Sequence, residues 1–247
     1  MHMVIVMMGR LPWRLVTLCC LYGLVVGCAT APTERVHYSL LEPGAQDKPI
    51  QIIVLEPDVV VKELSAGGVG QEVKQWSEQA TRNVNKSVDR YVSSHADLKQ
   101  VAMPDLTAAE SAIVDEHVAL YRIVGLTARV MTAGTDPAWA HKREYFDYTL
   151  GSGLQFLKEK TGADVALIVA GAEYVSTGGR KGMMVVGAMF GVPITLGHSN
   201  LVIAMVDLKS GDILWINSEF SYAKKDIRDS DDADDMIEGL FEEFPVL

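Results

Sequence analysis

Residues 200–220 read NLVIAMVDLKSGDILWINSEF, two apolar runs flanking Lys209-Ser210-Gly211-Asp212. Turn-forming residues between β-branched and large apolar side chains predict a hairpin. Just upstream, ADVALIVAGAEY (163–174) is the clearest strand in the chain. IQIIVLEP (50–57) is a continuous apolar run closed by Pro57, the pattern of a strand buried on both faces. DVVVKEL (58–64) extends it or forms an edge. A chain with these strands must supply layers to cover them.

Helical patterns lie between the strands. Val73, Trp76, Ala80, Val84, Val88 and Tyr91 recur at spacings of three and four, one face of a long amphipathic helix. LKQVAMP (98–104) predicts a short strand. Thr107 and Glu110 form a capping box that opens a second helix through Ile113, Val114, Leu120, Tyr121 and Val124, ending near Gly134. A third helix is expected through Phe146, Leu150, Leu154 and Leu157, stopping at Gly162. The segment DSDDADDMIEGLFEEF (229–244) predicts a helix whose acidic start complements the positive end of its macrodipole. This order indicates one α/β (α+β) domain, a mixed sheet with helices packed on it, over residues 37–247.

The N-terminus predicts where the domain works. Arg10 and Arg14 precede a 13-residue apolar run, Leu15–Gly27, too short for a permanent span. Its end, LVVGCAT, resembles the lipobox of bacterial lipoproteins. That resemblance implies a signal peptide over 1–27, cleavage between Gly27 and Cys28, and acylation of Cys28. Residues 28–36 become a lipidated tether, about eight extended residues reaching roughly 25–30 Å. Ala29 in place of Asp implies export to the outer membrane, with the domain on its periplasmic face. Met1, Met3, Met7 and Met8 compete as start residues.

Cys19, Cys20 and Cys28 are the three cysteines, so the expected mature domain has neither a disulfide nor a cysteine nucleophile. Only two of the 22 Lys and Arg, and none of the 32 Asp and Glu, precede Cys28. The mature chain would then carry a net charge of −12. This opposes nonspecific nucleic-acid binding and electrostatic adhesion to an anionic membrane. Acyl chains would supply the membrane attachment instead, at about 0.8 kcal/mol per buried CH₂.

The element order, GADVALIV, a variable insert, and LVIAMVDLKSGDILW together resemble envelope lipoproteins related to the curli-secretion channel lipoprotein. That wider group includes the N-terminal domain of the Tol translocation protein. LSAGG (64–68) and STGGR (176–180) are also similar to uncharacterised proteobacterial outer-membrane lipoproteins. The resemblance implies a non-enzymatic accessory or scaffold in envelope assembly or secretion, with an envelope protein partner or self-association. Its alternative implication is an oligomeric secretion-channel subunit.

The insert GGRKGMMVVGAMFGVPITLGHSN (178–200) lacks both phosphate-loop patterns. Its helical part before Pro193, residues 182–192, would be about 16 Å long, half a hydrocarbon core. MMVVGAMFGV lacks the alternation of a barrel strand. Two readings stay open: a helix or irregular hairpin buried on the sheet, or a docking or oligomer surface made of Met183, Met184, Val185, Val186, Met189, Phe190 and Val192. Gly187-x-x-x-Gly191 fits a helix-contact motif.

No catalytic constellation, metal set or cofactor motif is predicted. His141 and Glu144 lack a third ligand, and Asp115, Glu116 and His117 point apart on a helix. Gly151-Ser152-Gly153 lacks nucleophile-elbow spacing and reads as a packing element. DSDDADD (229–235) lacks the Gly and Glu of a calcium loop and reads as a solvated helix start.

Overall fold

The computed structural model describes residues 34–40, 49–133, 137–222, 225–242 and 244–245. Cys28 and Gly27 lie outside them. The strands are β1 (Arg35–Val36), β2 (Ile50–Val54), β3 (Asp58–Leu64), β4 (Gly70–Glu72), β5 (Leu98–Gln100), β6 (Val165–Ser176), β7 (His198–Asp207) and β8 (Ile213–Ser221). The helices are α1 (Lys74–Ser94), α2 (Ala108–Ala133), α3 (Ala140–Glu144), α4 (Gln155–Thr161), α5 (Gly178–Met189) and α6 (Ser230–Phe241). Among the described residues the strands form a single mixed eight-stranded sheet, the α/β architecture expected from the sequence.

β6 organises the sheet. β7 pairs with it antiparallel from Val165↔Asp207 to Tyr174↔His198, and β8 pairs antiparallel with β7. On its other edge β6 carries two parallel neighbours in tandem: β2, from Ile52↔Val165 to Val54↔Leu167, then β3, from Asp58↔Ala170 to Leu64↔Ser176. Three residues, Leu55–Pro57, stand opposite two on β6, and the extra residue reverses which face each side chain meets. Ile50 and Ile52 therefore share a face with Val59 and Val61. β1 pairs with β8, so the domain takes in Arg35 and Val36 of the expected tether. β4 is a short edge strand on β3 that the sequence did not announce.

One face is covered by α1 and α6. Ala80, Val84, Val88 and Val92 of α1 are fully buried against Val59, Val61, Val169, Leu201, Ile203 and Trp215. Three valines cost this helix about 0.5 kcal/mol each in propensity, but burial returns about 1.5–3 kcal/mol each, so packing decides. Ser77 Oγ accepts from the Val61 amide at 3.0 Å and fixes the helix on β3. α6 starts as expected, with the Asp229 carboxylate accepting from the Asp231 and Asp232 amides. Asp234 then binds Ser87 and Arg90 of α1.

The opposite face is covered by α2, α4 and the chain before α4. The capping box forms: Glu110 accepts from the Thr107 amide at 2.8 Å, and Thr107 Oγ1 accepts from the Glu110 amide. The expected third helix does not form as one element. Phe146, Leu150, Leu154 and Leu157 are all buried, but residues 145–151 form no helix, and Thr149 bridges to Asp212 instead. Their backbone bonds go to the β7–β8 hairpin: Leu150 N donates to Gly211 O and Ile213 N to Tyr148 O, each at 2.8 Å. Gly151, at φ 79°, then turns the chain into the short helix. Gly153 packs against the His117 imidazole, where a Cβ would collide, so GSG is a packing element.

Candidate functional site

The insert between β6 and β7 is a helical excursion that the sheet leaves largely uncovered. Thr177 caps α5, its Oγ1 accepting from the Arg180 amide. The chain then turns at Phe190–Val192 and returns along the helix. Gly187 is the buried residue of α5, and Ile194 and the Val192 carbonyl occupy the space a side chain there would need. Gly187 and Gly191 thus serve the excursion's own turn rather than a contact with another helix. Arg180 closes it, donating to the Thr195 carbonyl from Nε at 3.0 Å and Nη2 at 2.7 Å. The register Leu64↔Ser176 brings LSAGG beside STGGR, with the Arg180 guanidinium over Gly68 and Gly179 against Ala66.

This corrects the reading of 178–200 as buried packing. Met189 and Phe190 are each 78% exposed, Val185 58%, Val192 55%, Val186 48% and Met183 47%. Met184 departs from the expected docking set: it is half-buried and faces the returning segment. The segment is helical, so 178–197 holds no strand pair for a barrel hairpin. Among the described residues no helix is long and apolar enough to cross a membrane.

A second apolar surface lies on the α2 face, where the strands overshoot the helix. Tyr121, Arg122 and Leu126 of α2 wall a cleft of about 430 Å³, floored by Val60, Ala170, Ala172 and Val202. Tyr174, His198, Phe220 and Tyr222 form an aromatic ladder across β6, β7 and the end of β8, with centroid spacings of 4.6, 5.3 and 4.5 Å. Burial lowers the pKa of His198, favouring the neutral ring. Lys62 sits 5.7 Å over Tyr174, and Arg122 pairs with Asp58. Burial raises the Tyr121 phenol well above its ordinary pKa, and its hydroxyl has no hydrogen-bond partner. Leu120, Ile123, Leu126 and Val130 form an exposed stripe on α2, Ile123 being 68% exposed. The sequence reading ran the helix through Leu120 and Tyr121 without separating them, yet Tyr121 is fully buried and Leu120 is exposed. α2 is apolar over much of its circumference, and that was the signal of a second exposed face.

On the α1 face, Glu173 is buried with Ser199, Asp226 and Arg228. Ser199 Oγ donates to Glu173 Oε1 at 3.2 Å, while Oε2 has no donor. Burial, reinforced by the Asp226 charge, pushes the Glu173 carboxyl up to about 7. Burial would raise Asp226 too, but its bonds to Arg228 outweigh this and hold it below the usual range. Protonated, the Glu173 carboxyl carries a hydrogen that it can offer to the neighbouring Asp226 charge. The cluster seals the β8–α6 loop onto the sheet.

The remaining candidate residues do not converge. His141 and Glu144 are exposed on α3, and His117 is engaged by Ile113 O at 2.7 Å. Among the described residues no three His, Cys, Asp or Glu side chains are grouped as metal ligands.

No protein-family model matches the chain, and no curated protein matches it. Among solved structures it is similar to lipoprotein GNA1162 from Neisseria meningitidis, at 15% identity over 70% of this chain and 81% of that one, TM-score 0.31. The LpoB C-terminal domain from Salmonella enterica matches at 8% identity over 74% and 89%, TM-score 0.30. The hypothetical protein CT253 from Chlamydia trachomatis matches at 10% identity over 79% and 92%, TM-score 0.35. Likenesses this distant carry nothing about function.

Proposed function

We propose that this chain is a non-enzymatic lipoprotein held at the periplasmic face of the outer membrane by acyl chains on Cys28, an accessory or scaffold in envelope assembly or secretion. The observation that supports this reading is the character of the exposed surface. Large apolar side chains gather on the α2 stripe, the aromatic ladder and α5, the composition of docking surfaces. The polar groups nearest them are spent on structure: Arg122 on Asp58, Arg180 on the Thr195 carbonyl, Glu173 on Ser199 and Asp226. His198 lies between Tyr174 and Phe220 rather than against a hydroxyl or carboxylate.

Cys28→Ser tests the anchor. The expected result is an unacylated precursor that fractionates with the inner membrane. A processed, lipid-modified band still found in the outer membrane would overturn the assignment. A photo-crosslinking residue at Ile123 tests the scaffold role in cells, with one discrete adduct expected. A hydrolytic or ligase activity of the purified protein that disappears on substitution of a cleft residue would sink the non-enzymatic reading.

A further inference from the structure

The exposed α5 excursion and the direction of the N-terminal chain point to the same end of the sheet. β1 runs antiparallel to β8, with Arg35 opposite Ile216 and Val36 opposite Trp215. Followed back towards Cys28, the chain at β1 therefore heads along β8 towards Ser221. At that end β6 stops at Ser176, β7 begins at His198, and α5 stands between them. Cys28 precedes Glu34 by six residues, a reach of about 20 Å at full extension. The five residue-to-residue steps from Ile216 to Ser221 span about 17 Å of strand. The tether is thus long enough to reach this end and too short to carry Cys28 far beyond it.

The opposite end of the sheet is also within reach, and both ends carry charged residues, but the opposite end has no uncharged excursion projecting from it. There the β7–β8 turn carries Asp207, Lys209 and Asp212, and Lys158 pairs with Asp164 at 2.8 Å. Charged groups resist transfer out of water. At the α5 end, residues 182–197 have no charge, and ten of the twelve residues from Gly182 to Pro193 are exposed. The cations of the excursion, Arg180 and Lys181, sit at its base, where headgroups would meet them. Twelve helical residues cover about 18 Å, too little to cross a bilayer but enough to lie in its surface.

We propose that α5 and the turn after it rest in the surface of the same bilayer that holds the acyl chains of Cys28, with Met189 and Phe190 deepest. The inference rests on the lipoprotein reading above. It makes α5 a second, protein-borne membrane contact that fixes how the domain stands on the lipid. Apolar insertion drives the contact, so it survives high salt.

The test uses the full acylated protein, whose expected mature chain has Cys28 as its single cysteine. Phe190→Cys, Met189→Cys and, as a control on the α2 stripe, Ile123→Cys each receive an environment-sensitive fluorophore. The proteins are reconstituted into phosphatidylethanolamine–phosphatidylglycerol vesicles with and without lipids brominated near the headgroup. The expected result is blue-shifted emission at 189 and 190, with quenching several-fold greater than at 123 and unchanged by added sodium chloride. Water-like emission at both α5 positions overturns the proposal. Blue-shifted emission that lipid bromine does not quench also overturns it and assigns α5 to a second copy or a protein partner. The mass of the same sample separates the two ideas. An acylated protein with unquenched labels sinks this inference alone, whereas a missing acyl mass sinks the lipoprotein reading and this inference with it.

Discussion

The guanidinium of Arg180 lies over Gly68, with Nη1 3.0 Å from where a Cβ on that glycine would stand. The same side chain holds the Thr195 carbonyl. One arginine thus ties the β3–β4 loop, the start of α5 and the segment that returns from it.

Gly68→Ala should therefore do two things. At φ 83° a side chain costs about 1 kcal/mol of backbone strain, and the new methyl displaces the guanidinium. The expected result is a stability loss of about 1–2 kcal/mol in urea unfolding, with faster proteolytic cleavage within 182–193. Arg180→Lys should keep the charge but lose the two-pronged grip. It should speed the same cleavage while shifting global stability by less than about 1 kcal/mol.

Glu173 should make the protein less stable as pH rises. Its folded-state pKa of about 7 lies above the ordinary carboxyl value of 4.5. Its contribution is therefore fully present below about 4.5 and is lost as pH rises through 7. The loss is on the order of 2–3 kcal/mol. Glu173→Gln keeps a donor for Asp226 without the titration. Urea midpoints at pH 5 and pH 8 should differ clearly in the parent and little in the variant. Equal pH dependence in both would remove Glu173 as the cause.

Tyr121→Phe should be neutral or stabilising by up to about 1 kcal/mol, because it removes a buried hydroxyl that has no partner. A loss above about 1 kcal/mol in thermal or urea unfolding would mean that the hydroxyl is satisfied in solution.

Gly153→Ala should cost about 1–3 kcal/mol, since its methyl meets the His117 imidazole. Combined with His117→Ala, the cost should fall well below the sum of the two single changes, as expected for residues in direct contact. A double-mutant cycle in urea checks this; strict additivity would place the strain elsewhere.

Much of this architecture was legible in the sequence because it is written in periodicity. The apolar runs on either side of Lys209–Asp212, the three-and-four spacing of α1, and the pairing of Thr107 with Glu110 each specify a local structure almost unaided. Phe146, Leu150, Leu154 and Leu157 misled because burial at roughly helical spacing can also come from a non-helical segment pressed onto a hairpin edge. Gly151 and Gly153 were the local sign that the helix is interrupted. The α5 residues misled differently. Composition reports that Met189 and Phe190 avoid water, but not that the sheet lacks a surface to receive them. The meeting of Glu173 with Asp226, 53 positions apart, depends on the course of the β8–α6 loop, which no local pattern records.

The β6–β7 pairing continues to Tyr174↔His198, so the chain enters and leaves the excursion at neighbouring points on one stem. Gly197 seals that stem, pressed against the Tyr174 carbonyl so closely that no side chain fits. Everything from Gly178 to Leu196 is therefore a cassette on a hairpin that the sheet would form without it. Replacing those nineteen residues by a four-residue turn would lower the loop-closure entropy by on the order of 1 kcal/mol and leave the eight strands intact. Different apolar tips could be grafted onto one unchanged scaffold, so the surface this domain presents can diversify while its interior stays fixed.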